Sequence, residues 1–199
     1  IHLADTSQIG PTSTVIVNGV ISGPAGFNFN GSPSRRTIVN GNNTYAGLTV
    51  IEHGRVDVNH ANALGNSTIG TEVEDGGELF LLTSVAEPIT LRGGEVTFAT
   101  VSTAAGPITL EMGTLNLGRD GMLTTPVVLA NTGSDPILAG DRTLFTGGVT
   151  GGGQLRLRGN LTVEGAPLAH DGGLLINGGN ESEITRLNGP NSYSGSTVV

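Results

Sequence analysis

The sequence Pro-Ile-Thr-Leu occurs at residues 88–91 and again at 107–110, and a related Pro-Val-Val-Leu occurs at 126–129. The three copies begin at equal intervals, and the first two are followed at matched offsets by strand-like segments at 94–98 and 113–117. Within each unit, apolar residues alternate with polar ones between glycine corners, which is the pattern of short β-strands. Self-similarity at about 20 residues is typical of a solenoid, in which each unit stacks on the next.

The same alternation recurs along the chain, for example at 56–58, 79–81 and 161–163, and helical periodicity is almost absent. These features predict an all-β fold, a right-handed parallel β-helix, with residues 1–199 forming a single solenoid segment. At about 20 residues per turn it would have roughly ten rungs and form a rod of about 45–50 Å. A β-sandwich of short strands is the alternative, but a sandwich does not require an equally spaced repeat of this kind.

Composition excludes several classes of protein. Gly accounts for 33 of the 199 residues, there is no Cys, and the formal net charge is −8. The absence of Cys rules out a disulfide scaffold, and the acidic balance argues against a nucleic-acid-binding protein. The longest apolar run, at 79–82, is far shorter than the ~20 residues of a membrane-spanning helix, so membrane insertion by this segment is not expected.

A longer repeat relates the two ends of the chain, since residues 39–50 match residues 187–198. Its units span about 1–58 and 149–199, and it contains both tyrosines of the sequence, which predicts that Tyr45 and Tyr193 occupy equivalent rung positions. The predicted motif residues are Asn43, Tyr45, Gly47, Thr49 and Gly54 in the first copy and Asn191, Tyr193, Gly195 and Thr197 in the second.

The first copy reads Asn-Thr-Tyr-Ala-Gly-Leu-Thr-Val at 43–50 and continues to Gly-Arg-Val-Asp-Val at 54–58. It resembles the passenger-associated repeat of bacterial autotransporters. Ala46 stands where that repeat usually has Ser, and Leu48 and Ser196 stand where it has a second Gly. The resemblance implies a right-handed β-helical stalk, extracellular or on the bacterial outer surface, and it implies no particular activity.

Some parallel β-helices act on polysaccharides, which makes paired carboxylates relevant. The densest acidic cluster comprises Glu72, Glu74, Asp75 and Glu78. Glu72 and Glu74 flank Val73 and should share an outward face, where two carboxylates can act on a glycosidic bond if their separation is right. No Arg lies near them in sequence, although a distant Arg could come close in space, and we interpret the cluster as a solvated acidic loop.

Metal and nucleophile patterns are weaker. The Asp-Gly sequences at 118–121 and 170–173 lack the tandem context of calcium-binding repeats and are interpreted as turns. His53 and Asp57 fall on a different strand parity from His60, which argues against a shared metal. Without a nucleophile motif or a phosphate-binding loop, we expect no metal, no cofactor and no enzymatic activity.

The sequence therefore predicts a structural stalk or fibre segment of a surface protein, with adhesin as one such role. Its partners would be the remainder of a longer chain or another copy stacked end to end, with a host or surface glycan as a further candidate. The alternative is a β-helical carbohydrate-active enzyme or glycan-binding module. Thr90 and Thr109 line up at the spacing of the repeat, whereas charged positions such as Glu95 do not stack consistently, which favours a passive surface.

Overall fold

The computed structural model describes residues 1–66, 68–99, 102–130, 136–177 and 183–199. These residues form twenty β-strands and contain no helix, and so no helix long and apolar enough to cross a membrane. The strands are β1 Ser7–Ile9, β2 Val15–Val17, β3 Ser22–Gly23, β4 Phe27–Asn30, β5 Arg36–Val39, β6 Thr44–Tyr45, β7 Thr49–Val58, β8 Thr71–Glu74, β9 Gly77–Leu81, β10 Ile89–Phe98, β11 Ile108–Arg119, β12 Met122–Leu123, β13 Val127–Leu129, β14 Ile137–Phe145, β15 Val149–Gly151, β16 Leu155–Glu164, β17 Leu168–His170, β18 Leu174–Asn177, β19 Arg186–Asn188 and β20 Thr197–Val198.

The strands coil into a parallel β-solenoid of about nine turns with three sides. The first face is built from β1, β4, β8, β13, β15, β17 and the leading halves of β7, β10 and β11. The second face is built from β2, β5, β9, β18, β20, the trailing halves of β7, β10 and β11, and the leading halves of β14 and β16. The third side holds β3, β6, β12, β19 and the trailing halves of β14 and β16.

The repeat predicted at 88–129 corresponds to successive turns of this solenoid. Ile89 pairs with Ile108 and Ile108 with Val127, all in parallel register. Other turns differ in length, since Thr49 pairs with Thr71 and Thr71 pairs with Ile89, which makes the first of these two turns the longer one. The prediction of a parallel β-helix is confirmed, and the presence of turns longer than the repeat accounts for about nine turns where roughly ten were expected.

The core is a set of aliphatic columns inside the coil. On the first face, Leu91, Leu110 and Leu129 stack in register, and on the second face Val96 lies in register with Leu79 and Leu115. All of these side chains are buried. Alternation within each strand points these residues inward and their neighbours outward, as the sequence pattern predicted.

The corners need glycine where two turns approach most closely. Gly113 has a φ of 101°, and a Cβ atom there would lie 2.2 Å from the carbonyl oxygen of Gly94 one turn below. A side chain here would be strained by the positive φ and would collide with the backbone of the adjacent turn, so this corner requires Gly. The high glycine content thus follows from how tightly the coil bends.

A ladder of asparagines runs along the corner that follows the second face. Asn40 donates to the side-chain oxygen of Asn18 at 2.7 Å, and Asn59 donates to that of Asn40 at 2.8 Å. Each amide can donate to one neighbour and accept from the other, so a stack of identical residues satisfies itself.

Truncating an inward side chain should lower the free energy of unfolding much more than truncating an outward side chain on the same strand. We expect Leu110→Ala to lower the free energy of unfolding by about 2–5 kcal/mol, because it opens a cavity in a closed aliphatic column. Thr109→Ala, at the adjacent outward position, should change it by roughly 0.5 kcal/mol or less. Chemical denaturation followed by circular dichroism measures both, and equal effects at the two positions would contradict the column assignment.

Candidate functional site

Asn43, the first predicted motif residue, joins three successive turns from inside the coil. Its side-chain oxygen accepts a hydrogen bond from the backbone N–H of Ile21 at 2.8 Å, and its side-chain nitrogen donates to the carbonyl of Ala63 at 2.6 Å. Asn43 is buried, so both bonds are shielded from water. A carboxamide suits this geometry because it can accept and donate at once.

Tyr45 and Thr49 form the next part of the motif. Tyr45 is fully buried, and its hydroxyl lies 2.6 Å from the Thr49 hydroxyl, which in turn donates to the carbonyl of Leu64 at 2.8 Å. Because the single Thr49 hydroxyl proton is directed at Leu64, the Tyr45 hydroxyl is the donor to Thr49. Burial raises the pKa of the Tyr45 hydroxyl. Gly47 forms the corner between them, where a Cβ atom would lie 2.2 Å from the backbone nitrogen of Gly26.

Gly54 ends the first copy of the motif at the corner between the first and second faces. Its φ of 79° lies in the left-handed region that favours glycine.

The second copy repeats this local chemistry. Asn191 accepts a hydrogen bond from the Leu168 N–H at 3.1 Å, and the hydroxyls of Tyr193 and Thr197 lie 2.6 Å apart. A Cβ atom on Gly195 would lie 2.3 Å from the nitrogen of Gly173, as close as the corresponding contact at Gly47. The motif therefore encodes a specific corner: a buried or half-buried amide, a Tyr–Thr hydrogen bond and a glycine.

The two copies do not occupy the same position in the turn, so the prediction that Tyr45 and Tyr193 are equivalent is wrong. Tyr45 pairs with Gly23 on the third side, whereas the residues flanking Tyr193 stack on the first face, where the Ser194 N–H donates to the carbonyl of His170. Thr197 then pairs with Leu174 on the second face. The motif specifies a corner and the coil has three, so a similar sequence can serve more than one of them.

An arginine from the next turn forms ion pairs with two residues of the predicted acidic cluster. Glu72 and Glu74 point outward beside buried Val73, as predicted. Arg92 lies 2.5 Å from the Glu72 carboxylate, 3.7 Å from that of Glu74 and 3.5 Å from that of Glu111. The ion pairs of Arg92 therefore link three successive turns. The sequence did not indicate them, because Arg92 is distant from Glu72 and Glu74 along the chain.

Glu78 and Asp75 are separate from this arrangement. Asp75 lies in a turn, as predicted, whereas Glu78 lies on the second face, 3.1 Å from Arg55. Burial raises the pKa of the Glu78 carboxyl, and the charge of Arg55 opposes that shift. The four predicted residues are thus divided between the first face, the turn that follows it and the second face.

Charges do stack on the second face, contrary to the sequence interpretation. Arg36, Arg55, Glu78 and Glu95 lie in register on four successive turns. Comparison at a fixed interval could not reveal this column, because these turns differ in length. Its two arginines are paired, since buried Asp57 accepts from Arg36 at 3.1 Å and from Arg55 at 2.6 Å.

The candidate metal residues are also accounted for. Asp57 is held by the two arginines, and the described part of the chain contains no group of three or more His, Cys, Asp or Glu side chains that could hold a metal ion. In the two Asp-Gly sequences, Asp120 pairs with Arg142 at 2.6 Å, and Asp171 follows buried His170, whose ring stacks on Tyr193.

Sequence reasoning missed a groove of about 530 Å³ on the second face. Its lining comes from successive turns and includes Glu95, Asn116, Ala139, Asp141 and Arg158. These residues are separated by unequal intervals along the chain, so no motif could have grouped them. The groove is larger than the concavities beside Arg36 and Asn62, which measure about 370 and 250 Å³.

A buried carboxyl, Glu87, is the second feature that the sequence did not indicate. The residue is 3% exposed, and its Oε1 atom has no hydrogen-bond partner among the described residues. Burial raises the pKa of this carboxyl, and the backbone N–H groups of Glu87 and Ala86 partly oppose the shift. A charged carboxylate in this position is therefore costly to the folded state.

Comparison with protein-family models, curated proteins and solved structures finds no match to this chain.

Removal of the Asn43 amide should destabilise the solenoid more than the loss of an exposed amide would. Asn43→Ala leaves the buried Ile21 N–H and Ala63 carbonyl without partners, so we expect a loss of about 2–5 kcal/mol in the free energy of unfolding. Asn42→Ala, at the exposed neighbouring position, is the matched control and should cost about 1 kcal/mol or less. Similar losses for both variants would show that Asn43 is not an inter-turn bridge.

Glu87 should make stability fall as pH rises. The folded state binds the carboxyl proton more tightly than the unfolded chain, so the stabilisation is complete below the unfolded pKa of 4.5 and is lost as pH rises through the raised folded pKa. Glu87→Gln mimics the protonated form and should melt at a higher temperature than the parent at pH 8, with the difference shrinking toward pH 4.5. Exposed Glu164 supplies the control, and an equal effect of Glu164→Gln would refute the assignment.

Proposed function

We propose that this chain is a structural segment of an extracellular or cell-surface bacterial stalk or fibre. The observation that carries the proposal is that many outward polar side chains bond to side chains on neighbouring turns. Arg92 joins the carboxylates of Glu72 and Glu111, and Asn40 joins Asn18 to Asn59. Such contacts stiffen a rod along its axis and leave few of these groups free for chemistry.

The likeness of the two motif copies to autotransporter passenger repeats supports placement at the outer surface, where an adhesin is one role that a stalk can support. A solenoid gains stability from each interface between adjacent turns, so its natural partner is another solenoid turn. We propose that this partner is the remainder of a longer chain or a further copy stacked end to end.

The competing function, hydrolysis or lysis of a polysaccharide, would rest on Glu72 and Glu74. Both lie beside Arg92, at 2.5 and 3.7 Å, and this pairing favours a structural role over acid–base catalysis. A pair acting on a glycosidic bond must have both carboxyl groups free to reach the sugar, whereas here both are engaged by the Arg92 guanidinium.

Two measurements test the proposal together. Electron microscopy of the purified chain should show rods about 40 Å long, or multiples of that length where copies stack, as nine turns at ~4.8 Å require. Incubation with a panel of neutral and acidic polysaccharides should release no new reducing ends or unsaturated products. If the parent chain released product and Glu72→Gln or Glu74→Gln did not, the stalk proposal would be wrong and the chain would be an enzyme.

A further inference from the structure

The groove on the second face arises from a change of side-chain size along one outward column. Thr97, Asn116, Ala139 and Arg158 lie in register on four successive turns. Ala139 has only a methyl group and lies between the longer side chains of Asn116 and Arg158, which leaves a depression in the column. With Glu95 at one end and Arg158 at the other, the lining crosses four strands, or about 14 Å along the axis.

The corner next to the groove is held in a strained backbone conformation. Arg119 in the lining lies 3.7 Å from the Asp141 carboxylate, and the adjacent corner carries the 2.6 Å ion pair between Arg142 and Asp120. Asp120 and Arg142 each have a φ of 56°, in the left-handed region that side chains other than Gly seldom adopt. Strain of this kind is retained where the surrounding structure fixes it, and it is common beside binding sites.

The charged groups inside the groove are not equally available. Glu95 accepts hydrogen bonds from Thr97 at 3.1 Å and from Asn116 at 3.2 Å, and the Asp141 carboxylate faces Arg119. Arg158 is exposed and makes no hydrogen bond or ion pair with the described residues. Glu183 also lies in the lining and has a partner of its own. Among the described residues, Arg158 is therefore the charged lining residue without a partner, and a guanidinium can bind a carboxylate through two parallel hydrogen bonds.

The shape and chemistry of the lining narrow the class of ligand. A peptide would need apolar pockets for its anchoring side chains, whereas this groove is lined by polar residues, charged residues and glycines, with Ala139 as the one apolar side chain in the lining. A nucleic acid carries a phosphate on every nucleotide, which is more negative charge than the single unpaired guanidinium of Arg158 can balance, whereas a glycan can carry its carboxylates at wider spacing. An extended sugar chain suits an open polar groove, because its hydroxyls can donate to Glu95 and Asp141 and accept from Thr114.

We propose that this groove binds an extended oligosaccharide that carries carboxylated sugars, and that one sugar carboxylate pairs with Arg158. The site is independent of the proposed stalk function, because none of the contacts of Arg92 or of the asparagine ladder contributes to it. A rod that binds glycans along its side and does not cleave them would combine both roles.

The test is a binding titration on the whole chain with two matched hexasaccharides. One alternates glucuronate with N-acetylglucosamine, and the other contains N-acetylglucosamine alone and has no carboxylate. We expect the acidic sugar to bind and the neutral one to bind at least tenfold more weakly. Arg158→Gln should weaken binding of the acidic sugar about tenfold or more, since a hydrogen bond to a charged group is lost.

The second part of the test fills the groove with a larger side chain. Ala139→Gln places a longer outward side chain in the dip and should abolish binding, whereas Ala169→Gln, at an outward position of β17 on the first face, should leave it unchanged. Arg186→Gln removes an exposed guanidinium from β19 on the third side and is the matched charge control. Circular dichroism of each variant verifies that it is folded.

Each outcome supports or overturns the site. Loss of binding in Arg158→Gln and Ala139→Gln, with both controls binding normally, supports it. Failure of the parent chain to bind the acidic hexasaccharide, equal binding of the neutral one, or equal effects of the control variants would each overturn it. Cleavage of the bound sugar would leave the site in place and contradict the stalk proposal, so the two failures are distinguishable.

Discussion

Backbone hydrogen bonding between successive parallel turns places each residue directly over its partner one turn away, as Ile89, Ile108 and Val127 show. Because the partner sits at the same depth, an inward residue must stack on an inward residue and an outward one on an outward one. Aliphatic columns, the asparagine ladder and the charged column are all consequences of this one constraint. A turn by itself would expose its apolar side, so stability is a property of the stack.

Stacking of the turns also depends on how the chain bends at each corner. Asn43 and Asn191 each bond a backbone N–H of the preceding turn, and each is followed by a Tyr–Thr hydroxyl pair and a close glycine. The motif thus bends the chain at a corner while keeping the local backbone groups hydrogen-bonded. Such a solution can be reused at any corner, which explains its appearance on different sides of the coil.

Electrostatic contacts on this acidic chain are arranged along the axis. Arg92 reaches carboxylates on the neighbouring turns, and Arg55 contacts both Asp57 and Glu78 while its guanidinium lies 3.9 Å above the Phe80 ring. Pairs that are partly exposed contribute little individually, although a network spanning several turns contributes more than its separate members. The exposed guanidinium of Arg158 differs from these arginines because it lies in the groove without a partner among the described residues.

The sequence by itself determined the fold class, the length of the turns at 88–129, the inward residues of each strand and the glycine corners. These follow from alternation and local repetition, which depend on neighbours close together in the chain. Only the tertiary structure decided which corner each motif copy occupies, which cation meets Glu72, where charges stack and where the groove opens. The physical reason is that turns vary in length: the turn from Thr49 to Thr71 is longer than the turn from Thr71 to Ile89, so lateral neighbours cannot be counted off at a fixed interval. Contacts between turns are set by the cumulative register of the coil.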